Sequence, residues 1–490
     1  MDPRSGSDLV GSTMHFILFE GLMRLNADGS LTPAQAKSVA ISDDRLTYTF
    51  YLRGTQWSDG SSVTAKDFEK AWKKILSPEF PAANAHLLYV IKNGEAAKRG
   101  TLSLDDVGIQ AVDDKTLVVQ LEHPTPYFLD LVSFCLFFPV KHTLDEKEPT
   151  WMREASPHFI SNGPFKLASW RHNNEIVFEK NPNYWEAPQI NLDNIHISMV
   201  SDENTAFNMY ENGELDLIGL GISPLPSDIV LQFQQKGLLK TQSSPASTIV
   251  NFNVSKFPLH NKNIRKALGY AIHRKEIIEN ITQLGEEVAT NLIPSVLRGQ
   301  ESPSYFKDGD LQKARSFFQK GLKELHMSVE EFPHLTYLYA RGELNRKLAQ
   351  VLQQQWLSAF GVHVELQSIE NRALVDRLQN HDFDLAQTYW IAQYHDPMSI
   401  LERFKSSSQP KNYPGWQHPD YLRLLEEAAK AAAPEERLSK LAQAEKLFMD
   451  EMPLAPIYHW KTAFMIKDNL RYQEYPNNGF LELTRIQFKE

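Results

Sequence analysis

Short β-forming runs and helix-periodic stretches alternate along all 490 residues, with no internal repeat and no low-complexity tract. That rhythm restricts the chain to α/β or mixed architectures, because each element must bury one face against a neighbour of the other kind. At roughly 150 residues per domain, the length predicts about three domains. Leu46 to Arg53 is rich in β-formers and ends in Trp57-Ser58-Asp59-Gly60, whose Asp-Gly step favours a tight turn. Thr64 then predicts a helix start, with Asp67 three residues on as the return half of a capping box. Gly342 to Phe360 carries Leu344, Leu348, Val351, Leu352 and Trp356 near helical spacing, and Gly361 predicts its stop. Val362 to Leu366 and Phe383 to Trp390 read as strands, so residues 342–390 form a βαβ-like unit whose parallel pairing requires a right-handed crossover. Residues 417–449 read as helical, broken near Pro434. Joints are expected near Glu20, Ser156, Asn253 and Lys467-Asp468-Asn469. No Gly/Ser linker separates them, so the domains are expected to pack directly.

Composition excludes several classes. Apolar residues are 42% and charged residues 23%, too apolar and too evenly charged for a disordered chain. Lys and Arg number 51 against 61 Asp and Glu, a net charge of −10, which disfavours a general nucleic-acid binder. The longest apolar run, Phe134 to Val140, is far short of the ~20 residues of a membrane helix and contains Pro139. The single cysteine, Cys135, lies inside that run and reads as a small buried apolar residue. It cannot form an intramolecular disulfide or a cysteine zinc cluster. The opening MDPRSGSD lacks the basic and apolar regions of a secretory leader.

No catalytic constellation emerges. GxxxxGK[ST], GxSxG and HExxH are absent, Gly219-Leu220-Gly221 lacks the rest of a dinucleotide fingerprint, and the 16 histidines are scattered. His395 beside Asp396 could suggest a base and its orienter. Adjacent side chains on an extended backbone point to opposite sides, so a turn or binding-loop role is the better reading. No metal site or cofactor is expected. Aromatic residues reach 11%, including 9 Trp and 17 Tyr, enough to fill cores and also to line an apolar site.

An ordered set of short motifs carries a resemblance. Thr49 to Arg53, Trp57-Ser58-Asp59-Gly60, and Val63-Thr64-Ala65-Lys66-Asp67-Phe68 with Trp72 form the strongest block. Leu18-Phe19-Glu20-Gly21-Leu22, Asn162-Gly163-Pro164-Phe165, Asn181-Pro182-Asn183-Tyr184-Trp185 and Asn212-Gly213-Glu214-Leu215-Asp216 surround or follow it. Arg265-Lys266-Ala267-Leu268, Ala271-Ile272-His273-Arg274 and Pro453-Leu454-Ala455-Pro456 complete the series. Together they resemble the extracytoplasmic solute-binding proteins of the peptide/nickel importer family, which feed ATP-driven transporters. The likeness spans almost the whole chain. Met1-Asp2-Pro3 falls where relatives carry a Leu-Asp-Pro some way into the mature protein. The resemblance therefore implies a missing leader and first strand, and a periplasmic or lipid-anchored location outside the membrane.

The resemblance implies an α/β, two-lobed periplasmic-binding-protein fold (Venus-flytrap, class II-like, large cluster C type) with an additional domain. Lobe I would combine residues 1–20, 156–253 and 470–490, the additional domain 21–155, and lobe II 254–469. The implied function is a monomeric, non-enzymatic receptor that captures an oligopeptide by backbone hydrogen bonds and hands it to a membrane permease. The family's key strand carries Trp-x-x-Asp, whose Asp pairs with the peptide's free amine. Here the segment reads Trp390-Ile391-Ala392-Gln393-Tyr394-His395-Asp396, so Gln393 stands where the carboxylate is expected. A glutamine accepts a hydrogen bond from an ammonium but brings no charge. Either Asp396 or another acid anchors the amine, or the ligand is glutathione, a cell-wall peptide or another small molecule without ordinary free-amine recognition. The expected ligand-binding residues are Trp390, Ala392, Gln393, Tyr394, His395 and Asp396, with Tyr89 in the additional domain, Ser7 and Leu9 on an early ligand-facing strand, and Asn251 near a lobe crossover. The WSDG turn and Asn181 to Trp185 read as fold-keeping turns. An enzyme with an unrecognised site and a chaperone-like scaffold are the readings from other classes.

Overall fold

Alternating apolar side chains in Thr47–Leu52 (Tyr48, Phe50 and Leu52 buried) lay this segment into an antiparallel sheet. It pairs with Ala36–Ile41 on one side and Thr116–Gln120 on the other, and Ile109–Asp113 closes the four strands. The computed structural model describes residues 1–5, 9–26, 28–156, 158–219, 223, 225–298, 302–431, 433–472 and 483–489. The chain divides into two units. Unit 1 holds Met1–Lys240, Gln393–His395 and Ala463–Glu490, and unit 2 holds Thr241–Ala392 and Asp396–Thr462.

In unit 1 the predicted turn and helix form as read. The Trp57 N–H donates to Ser61 O and the Gly60 N–H to Trp57 O. The Asp67 carboxylate accepts from the Thr64 N–H at 2.9 Å, and helix Ala65–Ile75 follows. Its buried stripe, Phe68, Ala71, Trp72 and Ile75, faces the core. A second sheet of unit 1 is the antiparallel set Phe165–Arg171, Glu175–Lys180 and Asn194–Ser198. Tyr210, Ile218, Phe233 and Met465 make a further buried cluster.

The motif segments of unit 1 converge on one buried carboxylate. Glu20 accepts from Tyr184 OH at 2.7 Å, Trp185 Nε1 at 2.7 Å and Gln35 Nε2 at 2.8 Å, and pairs with Arg24. Burial pushes the Glu20 carboxyl up, but Arg24 and the converging donors outweigh it and hold the group below its ordinary value. Asn162 brackets the same residue: its Oδ1 accepts from the Glu20 N–H at 3.1 Å and its Nδ2 donates to Glu20 O at 3.0 Å. Gly163 lets the backbones touch, since a Cβ there would lie 2.5 Å from the carbonyl carbon of Leu18. These are scaffold roles, as read for Asn181 to Trp185. Cys135 is buried against the Ser12 hydroxyl, and burial pushes its thiol up to about 12.

Unit 2 is built on a mixed sheet. Lys240–Phe252 pairs antiparallel with Leu385–Ile391, from Ala246 opposite Ile391 to Phe252 opposite Leu385. Leu335–Ala340 runs parallel to Leu385–Ile391 and to Val364–Ile369. Leu454–Ile466 lies on the other side of Lys240–Phe252. The βαβ expectation therefore shifts by one strand. Helix Glu343–Phe360 joins Leu335–Ala340 to Val364–Ile369, and Leu335–Ala340 separates the two strands predicted to flank it. The overlooked strand, LTYLYA, has too little alternation to stand out, because it is buried on both faces. Gly361 ends the helix in the left-handed conformation at φ 74°, and helices Pro419–Lys430 and Pro434–Glu451 break where Pro434 predicted. Arg265 and Arg274 are buried among carbonyls. Arg265 donates to Glu451 O at 2.7 Å and Leu259 O at 2.8 Å, and Arg274 to Pro456 O at 2.7 Å. Arg274 of the AIHR segment thus holds the PLAP segment, while Arg265 of RKAL holds the helix end just before it.

Candidate functional site

Strand Leu385–Ile391 carries the first expected ligand residue at its end. Successive side chains leave a strand on opposite faces, so Tyr389 and Trp390 part company. Tyr389 is 55% exposed and Trp390 4%. The Tyr389 ring lies 5.3 Å from that of Trp460, whose Nε1 donates to Thr248 Oγ1 at 2.8 Å. The Trp390 ring packs at 5.0 Å on Phe404, which continues through Phe448 to Trp416. The Arg403 guanidinium sits 5.0 Å from the Trp390 ring centre and donates to Ile391 O at 2.9 Å. The Ala392 N–H extends the ladder by donating to Pro245 O at 2.8 Å.

Gln393, Tyr394 and His395 group with unit 1. Tyr394 is buried there with its ring stacked on Tyr127, centres 4.9 Å apart and 9° between planes, while Gln393 and His395 are half-buried. Tyr89, also in unit 1, lies half-buried in the short helical segment Ala85–Val90. Burial and Glu95 push its hydroxyl up despite Arg99.

Asp396 returns to unit 2 and is already engaged. Its Oδ1 accepts from the Met398 N–H at 2.8 Å and from Arg437 at 2.7 Å, where it opens the turn Met398–Leu401. Asn251 is fully buried, and its Nδ2 donates to Thr388 Oγ1 at 2.8 Å and Ala386 O at 3.3 Å, which ties its strand to Leu385–Ile391. Within this strand the change of unit falls at Lys240/Thr241. Leu9 opens helix Leu9–Leu18 where a strand was expected, and the Phe19 N–H closes its last turn on His15 O at 2.8 Å. Ser7 lies outside the described residues.

Sequence reasoning missed Arg403, Arg437 and Tyr127. Tyr127 and Arg437 are distant in sequence from the residues they touch, whereas Arg403 lies 12 residues from Ile391, and the alternation of Tyr389 against Trp390 offered the local signal. Among the described residues no group of three or more His, Cys, Asp or Glu side chains could hold a metal ion. No described helix is long and apolar enough to cross a membrane.

Comparison with known proteins places these elements in context. The model of the bacterial extracellular solute-binding proteins, family 5 Middle, matches residues 30–412. The oligopeptide-binding protein OppA of Bacillus subtilis (strain 168) is 36% identical, covering 100% of this chain and 90% of that protein. The dipeptide-binding protein DppE of the same organism is 34% identical over 98% of this chain and 88% of its own. The crystal structure of Haemophilus influenzae OppA in complex with RPPGFSPFR superposes with a TM-score of 0.84 at 25% identity, covering 99% of this chain and 96% of that one.

Proposed function

Because the chain belongs to the bacterial extracellular solute-binding proteins of family 5, we propose that it is the substrate-binding receptor of an ATP-driven peptide importer. Its fold is the two-lobed periplasmic-binding-protein fold with an additional domain. The observation that carries the reading is the match along the full chain to an oligopeptide-binding protein at 36% identity. A family of binding proteins, rather than of enzymes, is the setting in which an absent catalytic constellation is expected.

The mechanism follows from backbone chemistry. An extended peptide offers the same N–H and C=O groups whatever its side chains, so hydrogen bonds to strand-like segments give affinity without sequence choice. Water in side-chain pockets tolerates the rest. The proposed division is lobe I from 1–20, 156–253 and 470–490, the additional domain 21–155 and lobe II 254–469. The four-stranded sheet of Ala36–Ile41, Thr47–Leu52, Ile109–Asp113 and Thr116–Gln120 falls wholly inside the second of these. Ligand contacts are assigned to Trp390, Ala392, Gln393, Tyr394, His395 and Tyr89. Asp396 and Asn251 support that segment through Arg437 and Thr388. A ligand held by both lobes shifts the population toward a closed form that the permease reads. The protein works outside the cytoplasmic membrane, in the periplasm or on a lipid anchor, as a monomer.

Mass spectrometry of small molecules released from the purified protein, with melting measured before and after reloading, tests the reading. Intact peptides that restore the melting temperature are expected. Chemical turnover of the cargo, or capture of unfolded chains with no small molecule bound, overturns it.

A further inference from the structure

Two histidines far apart in sequence meet in the sheet of unit 2. His334 and His363 each stand one residue before a strand, Leu335–Ala340 and Val364–Ile369. These strands run parallel with Leu335 beside Val364, and the Leu335 N–H donates to His363 O at 3.2 Å. One position earlier in this register, His334 lies beside His363. Alternation buries Leu335, Val362 and Val364 and leaves both histidines exposed on the same side. The two imidazole rings lie 5.5 Å apart, centre to centre, with 39° between their planes. Among the described residues neither ring is hydrogen-bonded or ion-paired.

Neutral imidazole is the commonest protein ligand for metal ions, and it suits zinc, nickel and copper. An ion about 2.0–2.1 Å from one nitrogen of each ring, at a near-tetrahedral angle, holds the ring centres roughly 5 Å apart. The observed separation is close to that span, so both rings can share one ion by turning about their own side-chain bonds. The mounting is stiff. Leu335 and Val364 are 2% and 4% exposed, and Gln353 on helix Glu343–Phe360 donates to Val364 O at 2.7 Å. Little freedom is therefore lost when the rings close on an ion. Among the described residues no third His, Cys, Asp or Glu completes the set, so water fills the remaining positions, as in open zinc sites.

We propose that His334 and His363 form a surface site for a divalent transition-metal ion of the zinc, nickel or copper class. Val364–Ile369 is an edge strand, paired on one side only among the described residues. A shared ion pins its start to the neighbouring strand. The site is separate from the expected ligand segment. Leu335–Ala340 also runs parallel to Leu385–Ile391, with Tyr337 beside Leu385. His334 comes before that pairing and Trp390 after it, so the two features stand at opposite ends of the sheet. The proposal thus holds or fails independently of the peptide-receptor reading.

Calorimetric titration of the metal-free protein with zinc chloride, with magnesium chloride as the control, tests it. Zinc binding is expected near pH 7.5, and no magnesium binding, because magnesium demands oxygen ligands. His334→Asn and His363→Asn should each weaken zinc by about tenfold or more, since the second ring engages an ion already held by the first. Acidification to about pH 5.5 should weaken zinc in the native protein by protonating both rings. Zinc should also raise the melting temperature of the native protein more than that of either variant. No zinc binding by the native protein overturns the proposal, as does unchanged zinc affinity in either variant. If one variant does not fold, the other decides. If neither folds, pulsed electron paramagnetic resonance of the native protein with one equivalent of copper(II) replaces them: two imidazole nitrogens on the copper support the site, and one or none overturns it.

Discussion

Arg437, on helix Pro434–Glu451, donates to Asp396 Oδ1 at 2.7 Å, and the acid five residues past Ile391 is thereby committed to holding a turn. Both side chains are only 11% exposed. Breaking such a pair from one side leaves a charge without compensation. Arg437→Met is therefore expected to destabilise the protein by about 3 kcal/mol. The double variant Asp396→Asn with Arg437→Met should recover part of that loss. Urea denaturation followed by tryptophan fluorescence measures both, and a neutral Arg437→Met would show that the pair contributes nothing.

With Asp396 so engaged and Gln393 uncharged, this segment offers no dedicated carboxylate to the peptide amine that the proposed function would bring to it. N-acetylation of a bound peptide is expected to weaken it by less than about tenfold, below the worth of a charge-assisted contact. Gln393→Asp should raise that penalty. Competition titration with acetylated and free forms of one peptide decides the point, and a hundredfold preference for the free amine in the native protein would contradict it.

Acid should destabilise the fold through two buried imidazoles. In unit 2, His459 Nδ1 lies 2.7 Å from Ser247 Oγ and Nε2 3.2 Å from Asn291 Oδ1. Asn291 Oδ1 can only accept, so Nε2 carries the proton and Nδ1 accepts from the serine. Burial drives His459 down to about 3, and burial with the nearby N-terminus does the same to His15. Unfolded histidines titrate near 6.5, so between about pH 6.5 and 3 the unfolded chain holds protons that the folded one refuses. Each group then removes roughly 1.4 kcal/mol of stability per pH unit as pH falls through that window, and nothing above it. Denaturation midpoints from pH 8 to 4 should show a plateau and then a decline, shallower in His459→Gln. An unchanged slope in that variant would remove His459 from the account.

At Gly163 the neighbouring backbone cannot give way. A Cβ would meet Leu18 C at 2.5 Å and Phe19 N at 2.6 Å, so Gly163→Ala should cost about 3 kcal/mol or prevent folding. Soluble yield and melting of Gly163→Ala check this against Gly54→Ala, whose Cβ meets nothing within 4 Å and which should be nearly silent.

Much of the scaffold was legible because its signals are local. The Thr64–Asp67 box, the Gly361 stop and the Pro434 break are each set by neighbours within four residues. Strand Leu335–Ala340 escaped because burial on both faces erases the period of two. The site was less legible, since its partners join across the sequence. Arg437 reaches back 41 residues to Asp396, and Asn251 lies 137 residues from Thr388. Leu9, placed on a strand by resemblance, opens helix Leu9–Leu18 instead.

The glutamate at position 20 has a wider consequence. The short stretches that betray this chain's kinship keep its own carboxylate and arginines satisfied, at a distance in sequence from Trp390 and Gln393. What makes the molecule recognisable is thus separate from what would set its diet. Changes at the segment around Trp390 leave the Glu20 network, and with it the family likeness, intact.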